Sequence, residues 1–327
     1  MMDDMDAVFA SPATAVRQLN HPYILSKLGR DQGYTKAIGY DPTTPIPPAP
    51  TDGFTFAANA LARAPGGDGH HQNIDWNVEE VMTGASRADW LRYRALWFSL
   101  LNQGFKRVGT ANSDSHSLSV ERIGYPRNLV WATEKPRTPF DQEAFDADVL
   151  AGHVEGTNGP VLDVTIDDVD GNGNGVAYRP AQAPITVSPN AGLSVTLTCA
   201  PWIPVQEIRV FVNGKLVSRQ AVNDNVPPFS TNVFTTQKVR FILSTLLPGK
   251  GDAWLVVEAG MVQDTPPDTD GDGLPDLPDA DAASLPGPGD PLFHLQAIAP
   301  GVWPTAFTNP FYLDLDGGGW QAPGLQP

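Results

Sequence analysis

The chain has 327 residues, 41% of them hydrophobic, enough to build one large domain or two ordinary ones around a buried core. A formal net charge of −16 repels polyanions over most of the surface, which argues against nucleic acid as a partner. Apolar runs are too short to cross a bilayer, so no membrane partner is expected, and the single cysteine, Cys199, excludes a disulfide framework.

Residues 1–160 mix helical and strand patterns. The segment "ATAVRQLNHP" predicts a strand that delivers polar side chains at its end, closed by Pro22. "ADWLRYRALWFSLLNQGF" predicts an amphipathic helix that stops at Gly104. "KRVGTANSDSH" predicts a second strand ending in a polar loop, and "TPFDQEAFDADVLAG" a second helix ending at Gly152. This order predicts an α/β layout with ligand sites at strand ends.

Residues 161–327 are dominated by short alternating runs. "GLSVTLTCAP" alternates apolar and polar residues, and "EIRVFVNGKLVSRQ" predicts a hairpin that turns at Asn213-Gly214. "TQKVRFILSTL" and "DAWLVVEAG" supply further strands, which favours an antiparallel β-sandwich of roughly seven strands. The whole chain is therefore predicted to be α+β, with a boundary near residue 160.

Three polar side chains stand at predicted strand ends and are candidate metal ligands. Asp114 and His116 form a D-x-H pair, which on an extended backbone sends both side chains to the same side. His21 in "LNHP" ends another strand, and the ends of parallel strands open onto one face. The alternative is that Asp114 caps a turn and each histidine is an ordinary hydrogen-bonded residue.

The order of several segments carries a resemblance to a known family. "LNHP", "VEEVMTG", "LNQGFKRVGTANSDSH", "IGYPRNLVW" and "VLAGHVEGTNGPVLDV" follow one another as in the carbaryl-hydrolase-like (CehA/McbA) branch of the PHP (polymerase and histidinol phosphatase) metallohydrolases. "APWIPVQEIRVFVNGKLV", "DAWLVVEAG" and "AFTNPFYLDLDGGG" resemble the β-rich C-terminal extension of those proteins. The resemblance covers nearly the whole chain.

The resemblance implies a distorted (β/α) barrel that holds two or three divalent ions of the Zn, Mn or Fe class. A metal-activated water then hydrolyses a small-molecule phosphoester, carbamate or ester. Asp114 and His116 carry over as the last pair of metal ligands and His21 as a ligand from an earlier strand. Arg127 in "GYPRN" either neutralises an oxygen of the substrate or clamps nearby carbonyls. Glu80 is expected behind the ligands.

The chain departs from the family pattern before His21. Family barrels begin with an H-x-H strand and supply further histidine and glutamate ligands, whereas only twenty residues precede His21 here, without a histidine. Residues 1–160 are therefore expected to be the C-terminal half of a barrel with an incomplete metal site. The expected partner is a missing N-terminal part of the same protein, and the isolated chain is expected to be inactive or nearly so.

An Asp-rich stretch, residues 264–281, gives a second metal signal. Its oxygen donors have the spacing of a calcium loop and sit between prolines, as in the calcium loops of thrombospondin type 3 repeats. The proposed donors are Asp268, Asp270, Asp272, Leu274 through its carbonyl, Asp276 and Asp279. The alternative is an acidic linker. Calcium favours an extracellular or periplasmic location, and a non-catalytic, calcium-stabilised β-rich binding module with a degenerate barrel remnant is the alternative function.

Overall fold

A computed structural model describes thirteen stretches of the chain. They are residues 15–22, 33–48, 59–65, 71–84, 87–116, 123–132, 139–167, 175–222, 235–247, 249, 251–262, 287–290 and 292–325. Within them the fold is mixed α+β and rich in strands, which form three sheets, none of them closed. The α+β prediction is confirmed at this level.

The elements are numbered in chain order. The strands are β1 Gln18–Leu19, β2 Val78–Thr83, β3 Val108–Asn112, β4 Arg127–Val130, β5 Val154–Thr157, β6 Val161–Asp167, β7 Ile185–Thr186, β8 Gly192–Cys199, β9 Glu207–Val212, β10 Lys215–Ala221, β11 Thr235–Ile242, β12 Ala253–Gly260, β13 Thr305–Thr308 and β14 Phe311–Asp314. The helices are α1 Tyr34–Ala37, α2 Ala60–Arg63, α3 Arg87–Asn102, α4 Gln142–Leu150, α5 Leu243–Leu246 and α6 Phe293–Ile298.

The first sheet is parallel, with strand order β1-β2-β3. Helix α3 connects β2 to β3, and its last turn is followed by Gly104 at φ 86°, the predicted stop. Gly109 on β3 allows α3 to lie close, because a Cβ atom there would come within 2.9 Å of the Trp97 ring and 3.0 Å of Val81. The predicted strand, helix and strand are therefore present.

The second sheet is the largest and runs β10-β9-β12-β13-β5-β4, with β14 paired to β12 and β7 to β14. The predicted hairpin joins β9 to β10, and its turn residues Asn213 and Gly214 have φ 51° and 80°. Strands β4 and β5 precede residue 160, yet β5 pairs with β13 in the register Gly156 to Phe307. This sheet therefore contains strands from both sides of the expected boundary.

The third sheet, β11-β8-β6, shares a hydrophobic core with one face of the largest sheet. Alternate residues point into this core, as the alternating sequence predicts. They include Leu162 and Val164 of β6, Leu193, Val195, Leu197 and Cys199 of β8, Ile208, Val210 and Val212 of β9, and Leu255 and Val257 of β12. Cys199 is buried among the apolar neighbours of this core.

The opposite face of the largest sheet packs against α3. Phe211, Trp254, Phe307 and Tyr312 from the sheet form a core with Trp90, Leu91, Trp97, Phe98 and Leu101 from the helix. Other sides of α3 contribute Leu100 and the pair Tyr93 and Leu96 to separate clusters. The helix that the sequence predicts to be amphipathic is thus an internal helix, because tertiary packing covers it on several sides.

A buried ionic cluster fixes α3 to the largest sheet. Arg94 Nη1 lies 3.1 and 3.0 Å from the two carboxylate oxygens of Glu258, and Arg209 Nε lies 3.1 Å from Glu258 Oε2. Arg209 Nη1 also contacts Glu207 at 2.7 Å. Burial lowers the pKa of Arg94, and Glu258 opposes that shift.

The helices of the described stretches include none long and apolar enough to span a bilayer.

Candidate metal centre

His21 and Asp114 meet at the carboxyl end of the parallel sheet. His21 follows β1, and Asp114 follows β3, with β2 between them. The Nε2 atom of His21 lies 3.4 Å from Oδ1 of Asp114, and both side chains are about one-third exposed, at 34% and 38%. Two of the predicted ligands, more than ninety residues apart in sequence, are therefore neighbours at a solvent-accessible edge.

Glu80 holds His21 from the protein side. Its Oε2 accepts a hydrogen bond from the His21 backbone N–H at 2.7 Å and lies 3.2 Å from His21 Nδ1. Its Oε1 accepts from Asn112 Nδ2 at 3.1 Å. A carboxylate that binds one imidazole nitrogen orients the ring and directs the other nitrogen outwards. Glu80 thus lies behind His21, as the sequence predicts.

The carboxyl group of Glu80 is almost completely buried, at 1% exposure. Burial raises its pKa, whereas the hydrogen bond from the His21 backbone N–H, the His21 charge and the hydrogen bond from Asn112 act in the opposite direction. The ionised form of Glu80 therefore depends on His21 and Asn112.

Both predicted strand-end residues have a left-handed backbone. His21 and Asp114 each have φ 49°, and only Asn59 and Asn213 share a positive φ among the described residues other than glycine. Positive φ is uncommon for such residues and is concentrated at turns and functional sites. The backbone turns sharply at the two positions that carry the imidazole and the carboxylate.

His116 lies at the outer edge of this group. Its Nδ1 is 2.7 Å from the backbone carbonyl oxygen of Asp114 and 3.7 Å from Asp114 Oδ1, and its side chain is 74% exposed. When Nδ1 donates to that carbonyl, the lone pair of the ring is on Nε2. Asp114 therefore lies close to both histidines that the sequence singles out, and His116 is far more exposed than His21.

The separation of His21 Nε2 and Asp114 Oδ1 fits two ligands of one metal ion. Ligand bonds of about 2.0–2.1 Å in tetrahedral geometry place neighbouring donor atoms about 3.3 Å apart. His116 does not complete a compact set: in the described part of the chain, the one group of three potential ligands whose atoms all lie within 4.8 Å of one another is elsewhere. The donor types fit a transition metal, but the ligand set is partial.

That other group consists of Asp252, Asp314 and Asp316, next to the end of β14. Burial disfavours ionisation of Asp314, but hydrogen bonds from the backbone N–H groups of Gly317 and Gly319 outweigh this effect and lower its pKa. Asp252 accepts from the backbone N–H groups of Leu315 and Gln321, at 3.0 and 2.7 Å. These carboxylates stabilise the turn after β14. The sequence "DLDGGG" signals the turn, whereas the approach of Asp252 is a tertiary contact.

Arg127 is the first residue of β4, and its side chain contacts residues other than His21 and Asp114. Its Nη1 donates to the Gly124 carbonyl at 3.0 Å, and its guanidinium lies 5.4 Å from the centre of the Tyr125 ring. The neighbouring Asn128 binds the backbone N–H and C=O of Ala111 on β3, at 2.7 and 3.0 Å. These contacts match the carbonyl-clamp interpretation of Arg127. Its proposed role towards a substrate oxygen stays a prediction.

The predicted calcium loop, residues 264–281, lies outside the described residues. This applies to all its proposed donors, Asp268, Asp270, Asp272, Leu274, Asp276 and Asp279. The calcium prediction therefore stays a prediction.

Comparisons of the chain with protein-family models, with curated proteins and with solved structures gave no match. The resemblance to PHP metallohydrolases is thus an interpretation of the motifs. The geometry of the parallel sheet is an independent basis for a functional proposal.

Proposed function

We propose that the carboxyl end of the parallel sheet is a divalent metal site of a hydrolase, with His21 and Asp114 as its inner pair of ligands. The observation that carries the proposal is the position of His21 between two carboxylates, 3.2 Å from Glu80 and 3.4 Å from Asp114. A neutral imidazole has a single N–H group. If Nδ1 donates to Glu80, Nε2 presents a lone pair towards Asp114, and a divalent cation between Nε2 and Asp114 Oδ1 would satisfy both atoms.

The proposed residue roles follow from these contacts. Glu80 fixes the ring and the tautomer of His21, and Asp114 supplies the negative charge that balances the ion. His116 is the third ligand through Nε2, since its Nδ1 contacts the Asp114 carbonyl. A metal of the Zn, Mn or Fe class lowers the pKa of a bound water and polarises the bond under attack. Phosphoesters, carbamates and esters are the substrate class.

The finer architecture belongs to the same proposal. The parallel β1-β2-β3 sheet with its connecting helix supports a part of a (β/α) PHP-type barrel. The common core of the β11-β8-β6 sheet and the largest sheet supports the β-sandwich. We propose further that ligands beyond these three come from an added segment of the same protein, because three donors are too few for a cluster of two or three ions.

Metal binding by the full chain tests the site. We expect equilibrium dialysis against Zn²⁺ or Mn²⁺ to show saturable binding that His21→Ala and Asp114→Asn each weaken at least about tenfold, the loss of one ligand bond. His294→Ala is the matched control, because His294 is exposed on α6, outside this cluster. Equal binding by the wild-type chain and the Asp114→Asn variant would overturn the site.

Hydrolysis tests the activity separately. Chromogenic phosphodiesters and aryl carbamates are incubated with the metal-loaded chain and with the same chain extended by any upstream coding sequence. We expect turnover only with the extended chain, and its loss in His116→Ala. Turnover by the chain of 327 residues would contradict the incomplete site, and inactivity of both would contradict the hydrolase.

A second candidate is a non-catalytic β-rich module, located outside the cytoplasm and stabilised by calcium. The observation that favours it is that His21, Asp114 and His116 do not form a compact three-ligand group within the described residues. Under this alternative His21 bridges Glu80 and Asp114 without a metal ion. Thermal stabilisation by millimolar Ca²⁺, without any Zn²⁺ or Mn²⁺ binding, would favour the module over the enzyme.

A further inference from the structure

Asn112 is the last residue of β3, and its side chain reaches across to the neighbouring strand β2. Its Nδ2 donates a hydrogen bond to Glu80 Oε1 at 3.1 Å. Its backbone carbonyl accepts from the N–H of Gly84, just beyond β2, at 2.9 Å. Asn112 therefore contacts the carboxylate that holds His21, and it lies two residues before Asp114.

The hydrogen bonds of Glu80 use both carboxylate oxygens as acceptors. Oε1 accepts from Asn112, and Oε2 accepts from the His21 backbone N–H at 2.7 Å. Oε2 also lies 3.2 Å from Nδ1 of the His21 ring. Because both oxygens accept from other donors, this third contact is best satisfied when Nδ1 carries a proton and donates it. The surroundings of Glu80 thus favour the tautomer of His21 that has its lone pair on Nε2.

This tautomer is not the one that histidine prefers by itself. In water a neutral histidine ring carries its proton mainly on Nε2, so a proton on Nδ1 has to be imposed by a hydrogen bond. The competing tautomer of His21 has an acceptor close by, because Nε2 lies 3.4 Å from Asp114 Oδ1. The choice between the two tautomers therefore depends on how firmly Glu80 is held.

The protein holds Glu80 through Asn112 and holds Asn112 through the strand. The Glu80 side chain is 1% exposed, so it relies on protein groups for its hydrogen-bond donors. Ala111, next to Asn112, has both its backbone N–H and its C=O bound by the side chain of Asn128, at 2.7 and 3.0 Å. Together with the contact to Gly84, this fixes the backbone on which the Asn112 amide stands.

We propose that Asn112 is a positioning residue of the metal centre: it anchors Glu80 and so keeps His21 in the tautomer whose Nε2 is free to bind a cation beside Asp114. The inference rests on the proposed metal site and adds a residue that binds no ion itself. It also implies that the ring is set before an ion arrives, since every contact involved is made by the protein alone.

The tautomer is measured on the full chain, labelled with ¹⁵N-histidine and freed of metal by dialysis against a chelator. Long-range ¹H–¹⁵N correlation spectra are recorded at about pH 8.5, where a histidine ring is normally neutral. The His21 signals are assigned by their absence in His21→Ala. We expect a ring protonated on Nδ1 in the wild type and a shift towards the Nε2-protonated form in Asn112→Asp, which keeps the size of the side chain but removes the donor.

Asn190→Asp is the matched control, because it makes the same exchange at an exposed position and should leave the His21 signals unchanged. Asn112→Ala removes the donor without adding a charge and is expected to shift the tautomer as Asn112→Asp does. Circular dichroism establishes that each variant is folded. Equilibrium dialysis against Zn²⁺ gives the second readout, with affinity expected to fall about tenfold in both Asn112 variants and to stay unchanged in Asn190→Asp.

Two results would overturn the role of Asn112. One is a wild-type His21 ring that carries its proton on Nε2 or is protonated on both nitrogens, which needs no variant to establish. The other is an unchanged tautomer in a folded Asn112 variant. A wild-type chain that shows the Nδ1 tautomer but binds no Zn²⁺ would instead remove the metal site, because the spectra report on Asn112 whether or not an ion binds.

Discussion

Buried carboxyl groups are the residues that depart most from ordinary behaviour. Glu79 on β2 is fully buried, and the only hydrogen bond of its carboxyl group within the described residues is the 3.3 Å contact from the Trp76 indole N–H to Oε2. Burial raises the pKa of Glu79 to about 8, although Trp76 and the Arg107 charge act in the opposite direction. Glu79 and Glu80 are neighbours in sequence, but only Glu80 has partners at both oxygens.

Glu79 predicts a pH-dependent stability. The folded chain holds the Glu79 proton up to about pH 8, whereas the unfolded chain releases it at about pH 4.3. Between these values the folded state binds more protons, so the free energy of unfolding falls as pH rises. We expect Glu79→Gln to remove this fall and to stabilise the protein at alkaline pH by an amount on the order of a few kcal/mol.

Urea denaturation of Glu79→Gln and wild type at several pH values measures this effect. Glu143→Gln is the control, because it removes a carboxylate that is exposed on α4. The same difference in stability between Glu79→Gln and wild type at acidic and alkaline pH would contradict the assignment.

At the scale of elements, α3 is held by charge as well as by apolar contact. Glu258 of β12 forms ion pairs with Arg94 of the helix and with Arg209 of β9, and all three side chains are buried. The Arg94 guanidinium also lies 4.9 Å from the centre of the Phe211 ring. A buried ion pair adds little net stability, but removal of one partner leaves an uncompensated charge.

Replacing the carboxylate of this cluster and replacing one of its arginines are expected to lower the free energy of unfolding by different amounts. Glu258→Gln removes the carboxylate that the buried guanidinium groups of Arg94 and Arg209 share, and we expect a loss of about 3–5 kcal/mol in the free energy of unfolding. Arg94→Met keeps the hydrocarbon contact and leaves Glu258 paired with Arg209, so its loss should be smaller. Guanidinium denaturation measures both, and equal losses would show that Glu258 does not serve both arginines.

For the whole molecule, the largest sheet joins the two halves of the sequence. Strand β13 lies between β12 and β5, and Phe307 of β13 packs against Trp90 and Trp97 of α3, with ring centres 5.1 and 5.8 Å apart. A cut near residue 160 would remove α3, β4 and β5 and expose Phe211, Trp254, Phe307 and Tyr312. Exposed apolar area of that kind destabilises a fragment and promotes association.

We therefore expect the chain to unfold as one cooperative unit. Tryptophan fluorescence and far-ultraviolet circular dichroism should give coincident urea transitions. A fragment of residues 161–327 should bind a hydrophobic dye and self-associate. A monomeric fragment with its own cooperative transition would show that the sequence boundary is also a folding boundary.

The sequence predicts local features better than long-range pairing. The approach of His21 and Asp114 is predictable because the ends of parallel strands share one edge. The hairpin at Asn213-Gly214 is predictable because both turn residues accept positive φ. The pairing of Gly156 with Phe307 carries no local signal, and the burial of β12 on both faces shows in the sequence only as the continuous run "AWLVVEAG".

The matching φ of 49° at His21 and Asp114 sets backbone strain against side-chain chemistry at the strand ends. A left-handed backbone costs an L-residue roughly 1–2 kcal/mol, a penalty that glycine escapes. Glycine at either position would therefore relax the chain and at the same time delete an imidazole or a carboxylate. Selection for thermal robustness alone would erase these two side chains, so their retention in a lineage would itself record a demand other than folding.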